Sequence, residues 1–138
     1  MVPGAFTPTH ASWGIDNRMA AVRVILGAAE SSRLELRLPG ANSNPYLVAA
    51  CAVAAVDHGL IDQLEPARPQ VGDLPPSDAR ALPTTLEAAT VLLEADPIAQ
   101  AMIDERFTHY YANTRRWELG AWQRAVSDWE IDRYGAFP

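Results

Sequence analysis

The chain has 138 residues, 49% of them hydrophobic and 20% charged, with one cysteine and a net charge of −6. That composition predicts a folded domain with a modest core, or part of a larger one, rather than a disordered chain. A pI near 4.9 argues against a nucleic-acid binder or a binder of anionic membranes.

The acid excess is uneven. Residues 1–40 hold Arg18, Arg23, Arg33 and Arg37 against Asp16, Glu30 and Glu35, so they form the positive end of an acidic chain. Residues 1–17, broken by Pro3, Gly4, Pro8 and Gly14, read as a loop. The opening MVPGAFTPTH has neither a basic segment nor a long apolar run, so it does not read as a signal peptide. Residues 19–39 predict a β-hairpin with a turn around Gly27 to Ser32. Val22, Val24 and Leu26 alternate with Arg23 and Ile25, and Leu34, Leu36 and Leu38 alternate with Arg33, Glu35 and Arg37. Pairing Arg23 with Glu35 gathers the charged residues on one face, about 4.5–5.5 Å between cross-strand neighbours.

Asn44 and Pro45 predict an N-cap and first turn. The helix that follows, Tyr46 to His58, is nearly all apolar, which predicts burial and a stop at Gly59. Cys51 lies inside it and reads as a buried small hydrophobe. A lone cysteine fits a reducing compartment, and the expected location is cytoplasmic. The run LVAACAVAAV is too short to span a bilayer. Residues 62–83 are rich in Pro, Asp and Gly and read as a connecting loop. Thr84 to Glu87 reads as a capping box opening a helix to about Ala95, and Asp96-Pro97 opens a third. Phe107, Tyr110, Tyr111, Thr114, Trp117, Ala121, Ala125 and Trp129 recur at helical spacing. They predict one long helix to about Tyr134, weakest at Gly120, with an aromatic stripe for core or subunit contact and a solvated face of Glu118 and Glu130 with Arg115, Arg116 and Arg133.

Chemistry concentrates in Asn17-Arg18, Arg23, Arg33, Glu35 and Arg37. Four arginines around one carboxylate suit a polyanion, because guanidinium grips phosphate or carboxylate bidentately and stays charged. The carboxylate would oppose phosphate unless a cation such as Mg²⁺ stood between them. The bland alternative is an ion-pair cluster on a solvated sheet face. His10, His58 and His109 lack ligand spacing. His58 reads as part of a helix end, while His10 lies near the proposed site.

Five motifs occur in order: Val2-Pro3-Gly4, W-G-x-D-N-R at 13–18, R-x-E-x-R at 33–37, Asn44-Pro45-Tyr46, and D-W-E-x-x-R-Y at 128–134. Together they resemble the C-terminal portion of the glutamine synthetase family from end to end. The resemblance implies an α+β fold, an antiparallel hairpin followed by helices. Residues 1–138 would form a partial catalytic domain, without the N-terminal β-grasp domain and the first part of the catalytic domain. It implies an ATP-dependent carboxylate–amine ligase of nitrogen metabolism that uses Mg²⁺ or Mn²⁺, acts through γ-glutamyl phosphate, and is a homo-oligomer when complete. By the same resemblance Arg18 would stabilise the transferring phosphoryl group as the catalytic residue. Arg23 and Arg33 would face nucleotide phosphates, Glu35 would bind metal and Arg37 would hold glutamate.

Where the family commonly carries a flap glutamate, this chain has Phe6. A phenyl ring cannot take a proton or attract ammonium by formal charge. The resemblance is therefore to the γ-glutamyl-amine or γ-glutamyl-polyamine branch, and the amine itself is not legible. One carboxylate is too few for a metal site, so the chain alone is expected to lack a complete active site. The alternative is a non-catalytic assembly or regulatory domain of the same family.

Overall fold

Alternation between charged and apolar residues builds the first element pair. In the computed structural model, which describes residues 7–136, β2 (Val22–Ile25) and β3 (Arg33–Leu36) pair antiparallel with Arg23 opposite Glu35. Val22 faces Leu36 and Val24 faces Leu34 on the other side. The expected hairpin and its register therefore stand. Val2-Pro3-Gly4 and Phe6 lie outside the described residues.

Residues 1–17 are not all loop, as the sequence predicts. Trp13–Ile15 form β1, which pairs parallel with β2 in a sheet of order β1-β2-β3. Three residues are too few to display a period, and the pairing is set by the return path through residues 16–21. Asp16 makes that return possible with φ 50, a left-handed geometry that Asp tolerates better than most residues. Its N–H donates to the Val24 carbonyl at 2.9 Å.

The chain divides into two compact units, Met1–Thr84 and Thr85–Pro138. Ala20 and Ala21 are buried in the first. Its helix α1 (Pro45–Ile61) starts as expected: Asn44 Oδ1 accepts from the Tyr46 and Leu47 N–H groups, with Pro45 in the first turn. It runs past Gly59 and closes where His58 Nδ1 lies 2.8 Å from Asp62 Oδ2. The expectation of burial fails. No α1 residue is buried and Cys51 is exposed, because among the described residues no strand packs on the helix. Apolar composition says what a helix requires, not that the same polypeptide provides it.

In the second unit, α2 (Leu86–Ala95) is capped by Thr85, whose Oγ1 accepts from the Ala88 N–H. The cap is one residue later than the sequence suggests, so Glu87 cannot complete a reciprocal box. Asp96 caps α3 (Pro97–Ile103) as expected. The single long helix is instead α4 (Glu105–Arg124) and α5 (Asp128–Tyr134). The break falls at 125–127 rather than at Gly120, because Ser127 and Glu130 form a capping box that starts a new helix. Glu130 is thereby committed to the cap. Thr90, Thr108 and Ala112 are buried where α2 packs on α4. Both threonine hydroxyls donate to their own helices, to Leu86 O and Asp104 O, which lets polar side chains sit in the seam. Phe107 stacks on Tyr111 at 5.9 Å and the Arg115 guanidinium lies over Tyr111. Trp117, Trp122 and Trp129 remain largely exposed.

One ion cluster ties α2 to α4. Arg116 donates through both terminal nitrogens to the two Glu94 oxygens, and His109 Nδ1 lies 3.2 Å from Glu94 Oε1. Hydrogen bonds from Arg116 and then His109 hold the Glu94 carboxyl below its ordinary value. A depressed folded-state value means that this contribution is present above the ordinary glutamate range and is lost as pH falls through the folded-state value. Glu94→Gln should therefore lower Tm by about 2–5 °C at neutral pH, with the gap narrowing in acid. Thermal melts of both proteins over a descending pH series measure this. A gap independent of pH would exclude the carboxylate as its source.

Candidate functional site

The face of the sheet opposite the leucines collects the charges. Arg23 Nη1 donates to Glu35 Oε2 at 2.9 Å, and Arg33 Nη2 donates to Glu35 Oε1 at 3.1 Å. Each Glu35 oxygen thus receives a guanidinium. Partial burial pushes the Glu35 carboxyl up, but the hydrogen bonds and charges of Arg23 and Arg33 outweigh it and hold the group below its usual value. Arg33 also donates to the Ser31 carbonyl at 3.2 Å.

The other edge of Arg23 is taken by Asp16. Arg23 Nε donates to Asp16 Oδ1 at 3.1 Å, and Nη2 donates to the same oxygen. The hydrogen bond from Arg23, then its charge, lowers the Asp16 carboxyl, with a smaller contribution from Arg18; the Arg23 guanidinium is correspondingly raised. Arg23 is the most enclosed member, with its side chain 16% exposed against 72% for Asp16 and 30% for Glu35.

Arg23, Arg33 and Glu35 are brought into direct contact, and Arg18 lies on a cleft that Asp16 also lines. Arg37 is half-buried, and its N–H donates to the Ala21 carbonyl at 2.9 Å, one step beyond the last β2–β3 pair. Arg18 is exposed and lines a cleft of about 440 Å³ with Asp16, Asn17, Gln70 and Asp73.

The backbone that carries Arg18 is clamped. Asn17 Nδ2 donates to Gln70 O at 3.0 Å and to Gly72 O at 2.9 Å, and Asn17 Oδ1 accepts from the Met19 N–H. Gln70 is 4% exposed; its Oε1 accepts from Ser12 and its Nε2 donates to the Gly72 and Asp73 carbonyls. The Gln70 N–H donates to Trp13 O at 2.6 Å, and Trp13 Nε1 donates to Ala67 O at 2.7 Å. Residues 67–82 are therefore not merely a connection. They run back beside residues 9–14, ending in Ala11–Arg80 and Leu82–Thr9 backbone bonds.

Sequence reasoning missed Asp16 and Gln70. Asp16 could have been found as the one acid in W-G-x-D-N-R, next to a chain reversal. Nothing in the Pro-rich loop singles out Gln70. The three histidines serve local contacts: His10 meets Thr9, His58 pairs with Asp62, and His109 pairs with Glu94. Among the described residues no group of three His, Cys, Asp or Glu side chains could hold a metal ion, and no helix is long and apolar enough to cross a membrane.

Comparison with known proteins places the motifs in context. Residues 1–134 match the family described as glutamine synthetase, catalytic domain. The chain is 44% identical over 131 residues to γ-glutamylethanolamide synthetase GlnA4 of Streptomyces coelicolor, covering 95% of this chain and 28% of that protein. It is 34% identical to the glutamate–isopropylamine ligase of a Pseudomonas species, covering 91% of this chain and 28% of the relative. Among solved structures, a GmaS/ADP complex superposes with a TM-score of 0.74 at 29% identity, over 97% of this chain and 31% of that one. The chain thus spans under a third of the length of each of these proteins.

Proposed function

Since the chain belongs to the family of the glutamine synthetase catalytic domain, we propose that it forms the C-terminal catalytic part of an ATP-dependent glutamate–amine ligase. The observation that carries this reading is the Arg23–Glu35–Arg33 contact on one sheet face, inside a segment 44% identical to a γ-glutamylethanolamide synthetase. In the proposed reaction a γ-carboxylate oxygen of glutamate attacks the γ-phosphorus of ATP and ADP leaves. The amine nitrogen then attacks the acyl carbon, phosphate leaves, and the nitrogen loses its proton.

The family resemblance gives each candidate site residue a part to which its chemistry is suited. Arg23 and Arg33 neutralise phosphate charge, Arg18 meets charge developing on the transferred group, and Arg37 pairs with substrate carboxylate. Glu35 offers one carboxylate for a Mg²⁺ or Mn²⁺ ion. The described residues on their own do not fit a metal, because both Glu35 oxygens already accept from guanidiniums and no group of three metal-ligating side chains forms among those residues. The remaining ligands would have to come from polypeptide outside these 138 residues, and no step is assigned to the metal. The exposed apolar surfaces of α1 and of Leu34 and Leu36 suit coverage by the rest of a complete enzyme.

The isolated chain is expected to show no turnover with ATP, glutamate and a series of amines. Replacing the matching segment of a full-length amine ligase with this chain is expected to preserve ATP-dependent amide formation. Turnover by the chain alone would refute the incomplete-site reading. A folded, fully inactive hybrid would favour the competing reading, a non-catalytic assembly or regulatory domain. Calorimetry of the hybrid with Mg-ATP, comparing Glu35→Ala and Arg37→Ala, separates the two: a catalytic site weakens with Glu35→Ala, and an assembly domain is indifferent.

A further inference from the structure

We infer that Asp16 is a built-in competitor for the anion that Arg23 takes, so that anion binding at this face requires the Asp16–Arg23 pair to open. The inference rests on the reading of Arg23 as a phosphate-binding residue and adds a residue to it. Arg23 presents a planar fork, and both edges are taken: Nε and Nη2 by Asp16, Nη1 by Glu35. A phosphate that is gripped bidentately needs one edge vacated.

The two carboxylates differ in how readily they can leave. Glu35 is 30% exposed and is also held by Arg33. Asp16 is 72% exposed, and the hydrogen bonds to its carboxylate come from Arg23. Asp16 is therefore the one that yields. Its main chain is fixed by the bond to Val24 O and by the Asn17 clamp next to it, so opening is a side-chain rotation and not a loop movement. The Arg18 charge also acts on the Asp16 carboxyl, and Asp16 and Arg18 line one cleft, so an anion taking the place of the Asp16 carboxylate on Arg23 would bring a more highly charged group to the edge of that cleft. While the site is empty, Asp16 keeps the Arg23 fork oriented. The cost is affinity.

The test is an NMR titration of the 138-residue chain with tripolyphosphate at low ionic strength, following the arginine Nε–H signals. Asp16→Asn should tighten binding about two- to fivefold, the range of an exposed ion pair. Asp16→Gly removes the same carboxylate at a backbone position glycine accepts, φ 50, and should agree if the asparagine variant fails to fold. Asp73→Asn, on the same cleft, controls for loss of any negative charge and should have less than half the effect. The Arg23 Nε–H signal should move on saturation of the wild type and start displaced in both Asp16 variants. Unchanged or weaker binding in the Asp16 variants overturns the inference. Arg23→Ala and Arg33→Ala should weaken binding; if they do not, or if the wild type binds nothing, the phosphate-binding reading itself falls and takes the inference with it.

Discussion

Arg18→Ala, made in a full-length amine ligase carrying this segment, is expected to lower kcat by about 10²–10³, the usual cost of removing one donor aimed at developing charge. The KM for glutamate should change little, because Arg37 is the residue proposed to hold that substrate. The effect should be large for a structural reason. Arg18 is exposed at the mouth of a cleft, on backbone immobilised by three hydrogen bonds of the preceding Asn17 side chain. Arg23 and Arg33 do not substitute, since both are held on Glu35 and are proposed to face the nucleotide phosphates rather than the transferred group. Arg18→Lys should recover only part of the loss, because an ammonium keeps the charge but not the planar fork. Single-turnover ATP consumption at saturating glutamate measures the step. A variant within about threefold of wild type would remove Arg18 from the catalytic role, set against the hundredfold expected of such a group.

Gly14→Ala should be among the most damaging single-atom additions in the first unit. A Cβ at Gly14 would lie 2.6 Å from the Gln70 carbonyl oxygen and 2.9 Å from Asn17 Cβ. The first neighbour is backbone and cannot rotate away. Overpacking of this kind costs about 1–3 kcal/mol, which for a unit of this size is a Tm drop on the order of 5–15 °C. Calorimetric melting measures the loss. A second reading distinguishes a local effect from a general one: the Trp13 indole N–H, bonded to Ala67 O, should lose protection from hydrogen exchange. If stability and protection both persist, the loop is not pressed against β1 as described.

The sheet was legible in the sequence where side chains carry a period. Leu34, Leu36 and Leu38 against Arg33, Glu35 and Arg37 set a face, and the turn near Gly27 set the register, so the Arg23–Glu35 pair could be written down in advance. The helix starts at Asn44 and Asp96 were legible because capping residues act within three positions. What escaped was whatever depends on distant backbone. β1 is held by a parallel neighbour and a returning loop, and neither leaves a pattern in three residues. α1 was misjudged because its composition describes an environment that the described residues do not supply. The break before α5 went to Ser127 and Glu130 because two reciprocal hydrogen bonds outweighed the modest penalty of Gly120. At the site, the charges were legible, but the pairing of Arg23 with Asp16 was not. It depends on one left-handed residue at a chain reversal.

The return of residues 67–82 to the first strand has a consequence for the order in which the first unit can fold. Arg23 and Glu35 are 12 residues apart and meet through a local turn, whereas Ser12 and Gln70 are 58 apart and Asn17 and Gly72 are 55 apart. Closing the longer loop costs about 1.4 kcal/mol more in chain entropy than closing the shorter. The hairpin can therefore assemble first, and β1 can join it across the nine residues from Trp13 to Val22, while the clamp on Asn17 waits for α1 and the Pro-rich stretch to be laid down. The turn bearing Arg18 is then the last piece to lock, which ties completion of the site to completion of the fold.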